Sequence, residues 1–124
     1  MEEETRSRGM KMRRRVLGDA HVDSSEAART PFTEAFSEIF TRYAWGEIWT
    51  RPGLDLRTRS CITVAMLVAL NRPEELALHV RGALNNGVTR DELLEVLLQS
   101  AVYCGVPAAN TAFRIAGEVL DGLA

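Results

Sequence analysis

Signals that begin and end helices divide residues 30–120 into short segments, and this punctuation restricts the fold more than any other feature. Pro31 directly follows Thr30, and proline at the first position after a capping threonine is typical of a helix start. Thr89-Arg-Asp-Glu92 has the form of a capping box. No segment alternates apolar and polar residues with the period of a strand. The sequence therefore predicts an all-α fold, a compact helical domain of about five to six helices.

The second predicted helix, from about Leu56 to Leu70, is unusually apolar. From Ile62 onward it has almost no polar face, so it must be buried on several sides. In a chain of 124 residues, this pattern predicts contacts between subunits in addition to the core. The following helix begins at Pro73 and is expected to stop at Gly87.

Charge and length set the expected domain organisation. Residues 1–15 hold six basic residues against three glutamates, and we expect a disordered basic leader there. Residues 16–124 are predicted to form a single domain, with a net charge of −5 that disfavours binding to nucleic acid. The basic run Arg13–Arg15 is short for a nucleic-acid-binding arm.

Other features bear on location and on metals. The longest apolar run, Cys61–Leu70, is too short to span a membrane, and no signal peptide is evident at the N-terminus. Cys61 and Cys104 lie 43 residues apart without metal-ligand spacing, so neither a zinc site nor a disulfide framework is expected. These features predict a cytoplasmic protein with no membrane partner and no metal.

The segment from Tyr43 to Ser60 combines arginine with tryptophan. Arg51, Arg57 and Arg59 lie close to Trp45 and Trp49, and guanidinium groups bind carboxylates in pairs of hydrogen bonds. A small, flat polycarboxylate is therefore the first ligand to consider. Two plainer interpretations stay open: the arginines form surface ion pairs, and the tryptophans, four residues apart, anchor the core.

His79 is the main candidate for proton transfer. On the third predicted helix, Arg72 and Glu75 precede it by seven and four residues and share its side. A carboxylate at this spacing can hold an imidazole in one tautomer, which suits general acid–base catalysis. The alternative is an ordinary surface pair that stabilises the helix. His21 is a weaker candidate, and Cys104 is more plausible as a structural thiol than as a nucleophile.

Three stretches of this sequence closely resemble the carboxymuconolactone decarboxylase family. They are Arg72-Pro-Glu-Glu-Leu-Ala-Leu-His79, Ala83-Leu-Asn-Asn-Gly-Val-Thr-Arg-Asp-Glu92 and Glu95-Val-Leu-Leu-Gln-Ser-Ala-Val-Tyr-Cys-Gly-Val-Pro-Ala-Ala-Asn110. The resemblance extends over about residues 13–120. The wider superfamily includes disulfide reductases with a Glu, Cys-x-x-Cys and His motif. Aligned on His79, that motif places Ser60 at the glutamate and Arg72 and Glu75 at the two cysteines, which argues against a disulfide cycle.

The resemblance implies an activity and a set of roles. It implies cofactor-free decarboxylation of a carboxymuconolactone, a small-molecule lactone dicarboxylate, in protocatechuate catabolism. His79 and Glu75 would then be catalytic, and the residues implied to bind substrate are Arg51, Arg57, Arg72 and Trp45. It also implies a homo-oligomer, a hexamer built as a trimer of dimers. Two alternatives stay open: an oligomeric, non-catalytic or differently specific binder of aromatic-derived acids, and a thiol-dependent, peroxide-linked enzyme that uses Cys104.

Overall fold

The computed structural model describes residues 1–123, and all regular structure in this range is helical. The helices are α1 (Glu2–Leu17), α2 (Asp19–Ala27), α3 (Glu34–Phe40), a π-helix (Thr41–Ile48), α4 (Leu56–Ala69), α5 (Pro73–Asn85), α6 (Arg90–Cys104) and α7 (Val106–Gly122). The predicted all-α fold is confirmed, although residues 1–123 contain more helices than the five to six expected. Close contacts group the helices into two compact units, Met1–Asp55 (unit 1) and a second that begins at Leu56 (unit 2). The single domain expected over residues 16–124 stays a prediction.

In unit 1, the segment expected to be a disordered leader forms α1. Glutamates occupy its first turn and arginines its last turn, and both placements complement the helix dipole. Arg13 is only 3% exposed; it donates hydrogen bonds to Glu26 and Ser25, and its guanidinium lies 5.0 Å from the Phe40 ring centroid. Arg13 therefore has partners within unit 1, and composition alone could not reveal them.

The predicted helix after Thr30 starts later and changes character. The backbone amides of Thr30 and Thr33 each donate to the other's hydroxyl group, and α3 begins only at Glu34. From Thr41 the helix widens into the π form, in which the Trp49 amide donates to the Ala44 carbonyl five residues earlier at 2.9 Å. A π-helix of eight residues is unusual, because most are single-turn bulges.

In unit 2, helices α4 to α7 enclose one hydrophobic core. Helix α4 packs against α5 and α6, and α7 also packs against both. The core consists of Val64, Val68, Leu76, Val80, Ala83, Val88, Leu93, Leu97, Ala112, Ile115, Ala116 and Val119. The predicted capping box is confirmed: the Glu92 amide donates to the Thr89 hydroxyl at 3.1 Å, and the Thr89 amide donates to the Glu92 carboxylate at 2.9 Å. A local sequence signal therefore determines where α6 begins.

Apolar side chains also lie on the outer surface of unit 2. Val64 and Val68 of α4 are buried, but Met66 on another face of the same helix is 58% exposed. On α6, Leu98 and Val102 are likewise exposed. Within residues 1–123, no helix is both long and apolar enough to cross a membrane.

Candidate active site

Helix α5 carries Glu75 and His79, the two residues predicted to be catalytic, and begins just after Arg72. Pro73 occupies its first turn after Arg72, which is the residue at the N-cap position. Leu76 and Val80 are buried and orient the helix, and they bracket His79 in the sequence. His79 is half-buried, and its Nδ1 atom is shielded from solvent. The imidazole therefore lies at the edge of the core rather than fully in water.

Glu75 and Arg72 are exposed on the same helix. Glu75 precedes His79 by one turn, a spacing at which side chains on a helix are neighbours. Arg72 donates a hydrogen bond from Nη1 to the Leu70 carbonyl at 3.3 Å, across the start of the helix. A cation, a carboxylate and a half-buried imidazole thus occur within two turns, and their catalytic and binding roles stay predictions.

Arg57 connects the first turn of α4 to the loop before α6. Its guanidinium donates to the Gly87 carbonyl and to the Glu92 carboxylate. Hydrogen bonds to the Glu92 carboxylate lower its pKa below the ordinary value, and the bond from the Thr89 amide has a larger effect than the one from Arg57. The pair with Glu92 matches the plainer interpretation of the sequence, a surface ion pair, whereas the partners of Arg57 were not predicted. A guanidinium has five N–H donors, so these two contacts do not use all of them. The predicted role of Arg57 in substrate binding therefore stays a hypothesis.

Another contact of α4, this one with the end of α5, was also not predicted from the sequence. Ser60 has no exposed surface, and the Asn86 side-chain amide donates to its hydroxyl at 2.9 Å. Asn86 follows the last residue of α5, where an asparagine in sequence reads simply as a helix stop. Nothing in the sequence pattern links it to a serine 26 residues earlier.

The tryptophan–arginine segment begins in unit 1. Trp45 is 7% exposed and stacks on Trp49, with ring centroids 5.1 Å apart and an angle of 22° between the planes. Trp45 lies within the π-helix, and Trp49 is the first residue after it. Arg51 is exposed, and its backbone amide donates to the Ile48 carbonyl at 3.0 Å. Trp45 is thus buried like a core residue, and the substrate-binding roles predicted for Trp45 and Arg51 remain untested.

The remaining candidates lie elsewhere. His21 is exposed on α2. Cys61 and Cys104 form no disulfide with each other, and they line the same cavity of about 360 Å³ in unit 2, together with Ile62, Val96 and Tyr103. Across residues 1–123, no three His, Cys, Asp or Glu side chains are grouped so that they could hold a metal ion.

Comparison with known proteins identifies the class to which this helical fold belongs. The model of the carboxymuconolactone decarboxylase family matches residues 34–118. This chain belongs to the carboxymuconolactone decarboxylase family.

Two curated relatives make the assignment more specific. A 4-carboxymuconolactone decarboxylase of Acinetobacter baylyi is 44% identical over 122 residues, which cover 98% of this chain and 91% of the relative. A nitrosuccinic acid decarboxylase of Metarhizium robertsii is 41% identical over 115 residues, covering 93% of this chain and 80% of the relative. The chain is accordingly a decarboxylase, that is, a carboxy-lyase.

Proposed function

We propose that this protein decarboxylates 4-carboxymuconolactone to the β-ketoadipate enol-lactone, a step in protocatechuate catabolism. The single observation that carries the proposal is the 44% identity to a 4-carboxymuconolactone decarboxylase over 98% of the chain. The half-buried His79 on α5 supports it, because the reaction needs a proton donor close to an apolar surface.

The chemistry of the substrate explains why few protein groups are needed. The departing carboxylate lies on the γ carbon of an unsaturated lactone ring. When the bond to this carboxylate breaks, CO₂ leaves and the electron pair moves through the ring double bond onto the lactone carbonyl oxygen. The resulting dienolate takes one proton at the α carbon to give the enol-lactone. The substrate thus supplies its own electron sink, a task that other decarboxylases give to a cofactor.

His79 is the proposed proton donor to the α carbon. Glu75, one turn earlier on α5, would orient the imidazole and stabilise its protonated form. General acid catalysis by a positioned side chain typically contributes about 10²–10⁴-fold to the rate. The histidine should therefore act mainly on kcat, since the proton is transferred after the substrate has bound.

Arginine side chains are proposed to anchor the carboxylate that stays on the product. Arg51, Arg57 and Arg72 are the proposed anchors, and each can form paired hydrogen bonds with a carboxylate. A cation beside the departing carboxylate would instead stabilise the ground state and slow the reaction. The departing group should therefore meet an apolar surface, and Trp45 or Val106 is the residue proposed to supply it.

The assembly and location belong to the same proposal. The family resemblance implies a homohexamer built as a trimer of dimers, and the exposed apolar side chains of Met66, Leu98 and Val102 support burial between copies of the chain. A cytoplasmic location fits the two cysteines, which form no disulfide with each other in residues 1–123.

A specific observation suggests an alternative substrate. The relative that is 41% identical is named for nitrosuccinic acid, which also loses a carboxylate but has no lactone ring. The other two alternatives drawn from the sequence, a binder without activity and a thiol-dependent, peroxide-linked enzyme, are disfavoured because both curated relatives are decarboxylases.

Ultraviolet absorbance provides the test. Wild-type protein is mixed with 4-carboxymuconolactone or with nitrosuccinic acid, with and without prior thiol blocking, and kcat/KM is measured for each. We expect turnover of the lactone that is faster than turnover of nitrosuccinic acid and unchanged in the Cys61→Ser and Cys104→Ser variants. No turnover of the lactone would overturn the proposal, faster turnover of nitrosuccinic acid would reassign the substrate, and loss of activity on thiol blocking would favour the redox alternative.

A further inference from the structure

We infer that Gly9 of α1 is a positioning residue for the decarboxylase: it sets the place of the π-helix that carries Trp45, the indole stacked on Trp49. The inference rests on the proposed function, in which this segment contributes to substrate binding. The supporting contacts all lie within unit 1.

Helix α1 and the π-helix approach each other through two glycines. A Cβ atom at Gly9 would lie 2.8 Å from the Gly46 amide nitrogen and closer still to the Thr41 carbonyl oxygen. A Cβ atom at Gly46 would lie 2.5 Å from the Thr5 carbonyl oxygen and 2.9 Å from the Thr5 methyl carbon. Most of these neighbours are backbone atoms, which cannot rotate away. Gly9 and Gly46 are both buried, so any larger residue at either position must push the two helices apart.

This close approach falls on the part of the chain that departs from α-helical geometry. Gly46 lies between the two tryptophans, one residue after Trp45 and three before Trp49. At either end of the segment a threonine hydroxyl donates to the carbonyl four residues earlier: Thr41 to Ser37 at 2.7 Å and Thr50 to Gly46 at 2.6 Å. Threonine hydroxyls bonded in this way bend helices.

Trp45 directly precedes Gly46 in the π-helix, so the backbone at this contact also carries the buried indole. Because Trp45 is buried and stacked on Trp49, a shift of the π-helix must move both rings together. Long π-helices are rare, and π segments in helices are frequent at functional sites. Gly9 touches no substrate in this proposal. It acts through the π-helix, and therefore its replacement should weaken substrate binding, together with any contribution that Trp45 makes beside the departing carboxylate.

The test compares Gly9→Ala with a matched variant, Gly117→Ala. Gly117 also lies inside a helix, but a Cβ atom there meets no other atom within 4 Å. Near-ultraviolet circular dichroism reports the stacked indoles, and Trp49→Phe identifies the part of the signal that belongs to the pair. We expect Gly9→Ala to lose most of that signal and to raise KM by about tenfold. Gly117→Ala should behave like the wild type in both measurements.

Thr5→Ser keeps the test decisive should Gly9→Ala fail to fold. It removes the methyl carbon that abuts Gly46 and adds no atom, so it should change the dichroism and KM in the same direction but less. A wild-type-like indole signal in the folded Gly9→Ala and Thr5→Ser variants would overturn the inference, and so would a lost signal with unchanged KM. Failure of the proposed function is distinguishable, because wild-type protein would then not turn over the lactone.

Discussion

At the scale of single residues, sequence reasoning found side chains but not all of their contacts. His79 was singled out by its spacing from Glu75, and its half-buried place on α5 suits the predicted role. Arg57 was singled out as a cation near tryptophans, whereas its contacts in the structure are Gly87 and Glu92. Those partners lie 30 and 35 residues away, beyond the reach of any local pattern.

Replacement of Arg57 should therefore affect stability as well as substrate binding. Arg57→Ala removes the connection between α4 and the loop before α6, and we expect the Tm to fall by a few degrees. Arg114→Ala is the control, because Arg114 forms an exposed pair with Glu118 within one helix, at 3.3 Å. Thermal unfolding followed by circular dichroism gives both values. A Tm for Arg57→Ala equal to that of the control would show that the connection contributes nothing to stability.

At the scale of elements, a helix was predicted correctly where residues at its own ends specify it. Helices α5 and α6 were predicted because Pro73 and the Thr89 capping box lie at their own ends. Helix α1 was missed because its stability comes from partners elsewhere in unit 1, such as Glu26 for Arg13. The π-helix was also missed, because the feature that distinguishes this segment is the close approach of Gly46 to Gly9 on another helix.

Ion pairs join α1, α2 and α3 and make unit 1 sensitive to acid. Burial raises the pKa of Glu26, but hydrogen bonds from Arg29 and Arg13 outweigh it and the pKa lies below its usual 4.5. Hydrogen bonds from Arg6 and Arg29 likewise hold the pKa of Glu38 below 4.5, against the opposing effect of burial. Because both carboxyl groups have lower pKa values folded than unfolded, their contribution is complete above about pH 4.5 and is lost as the pH falls further.

The corresponding measurement follows the Tm of wild type and of a Glu26→Gln/Glu38→Gln variant from neutral pH downward. We expect the wild type to be more stable near neutral pH and the difference to shrink as the pH falls below about 4.5. Glu118→Gln, which alters an exposed pair, serves as the control. A difference in Tm that is constant with pH would contradict the assigned role of the network.

At the scale of the whole molecule, several large apolar side chains lie on the surface of the described chain. Phe32 is 95% exposed, and apolar side chains are also exposed on α4 and α6. The apolar character of α4 was apparent from the sequence, and it predicted contacts between subunits. Which copies meet, and through which faces, depends on the geometry of the assembly, and no pattern along one chain encodes that directly.

Sedimentation equilibrium tests the proposed assembly. We expect the wild type to have six times the 13.8 kDa mass of one chain. Leu98→Glu places a charge on the exposed apolar face of α6 and should lower the mass, because burying an unpaired carboxylate is unfavourable. Asn110→Asp, at an exposed polar position on α7, is the matched control. A wild-type mass of one chain would contradict the proposal.

The proposed reaction is the decarboxylation of 4-carboxymuconolactone with His79 as the proton donor. Its most direct test is kcat for the lactone in folded His79→Ala protein, measured beside Glu74→Gln, which changes a neighbouring exposed residue on the same helix. We expect His79→Ala to lose about 10²–10⁴-fold in kcat with a much smaller change in KM, and Glu74→Gln to retain wild-type activity. Wild-type kcat in folded His79→Ala protein would contradict the assignment.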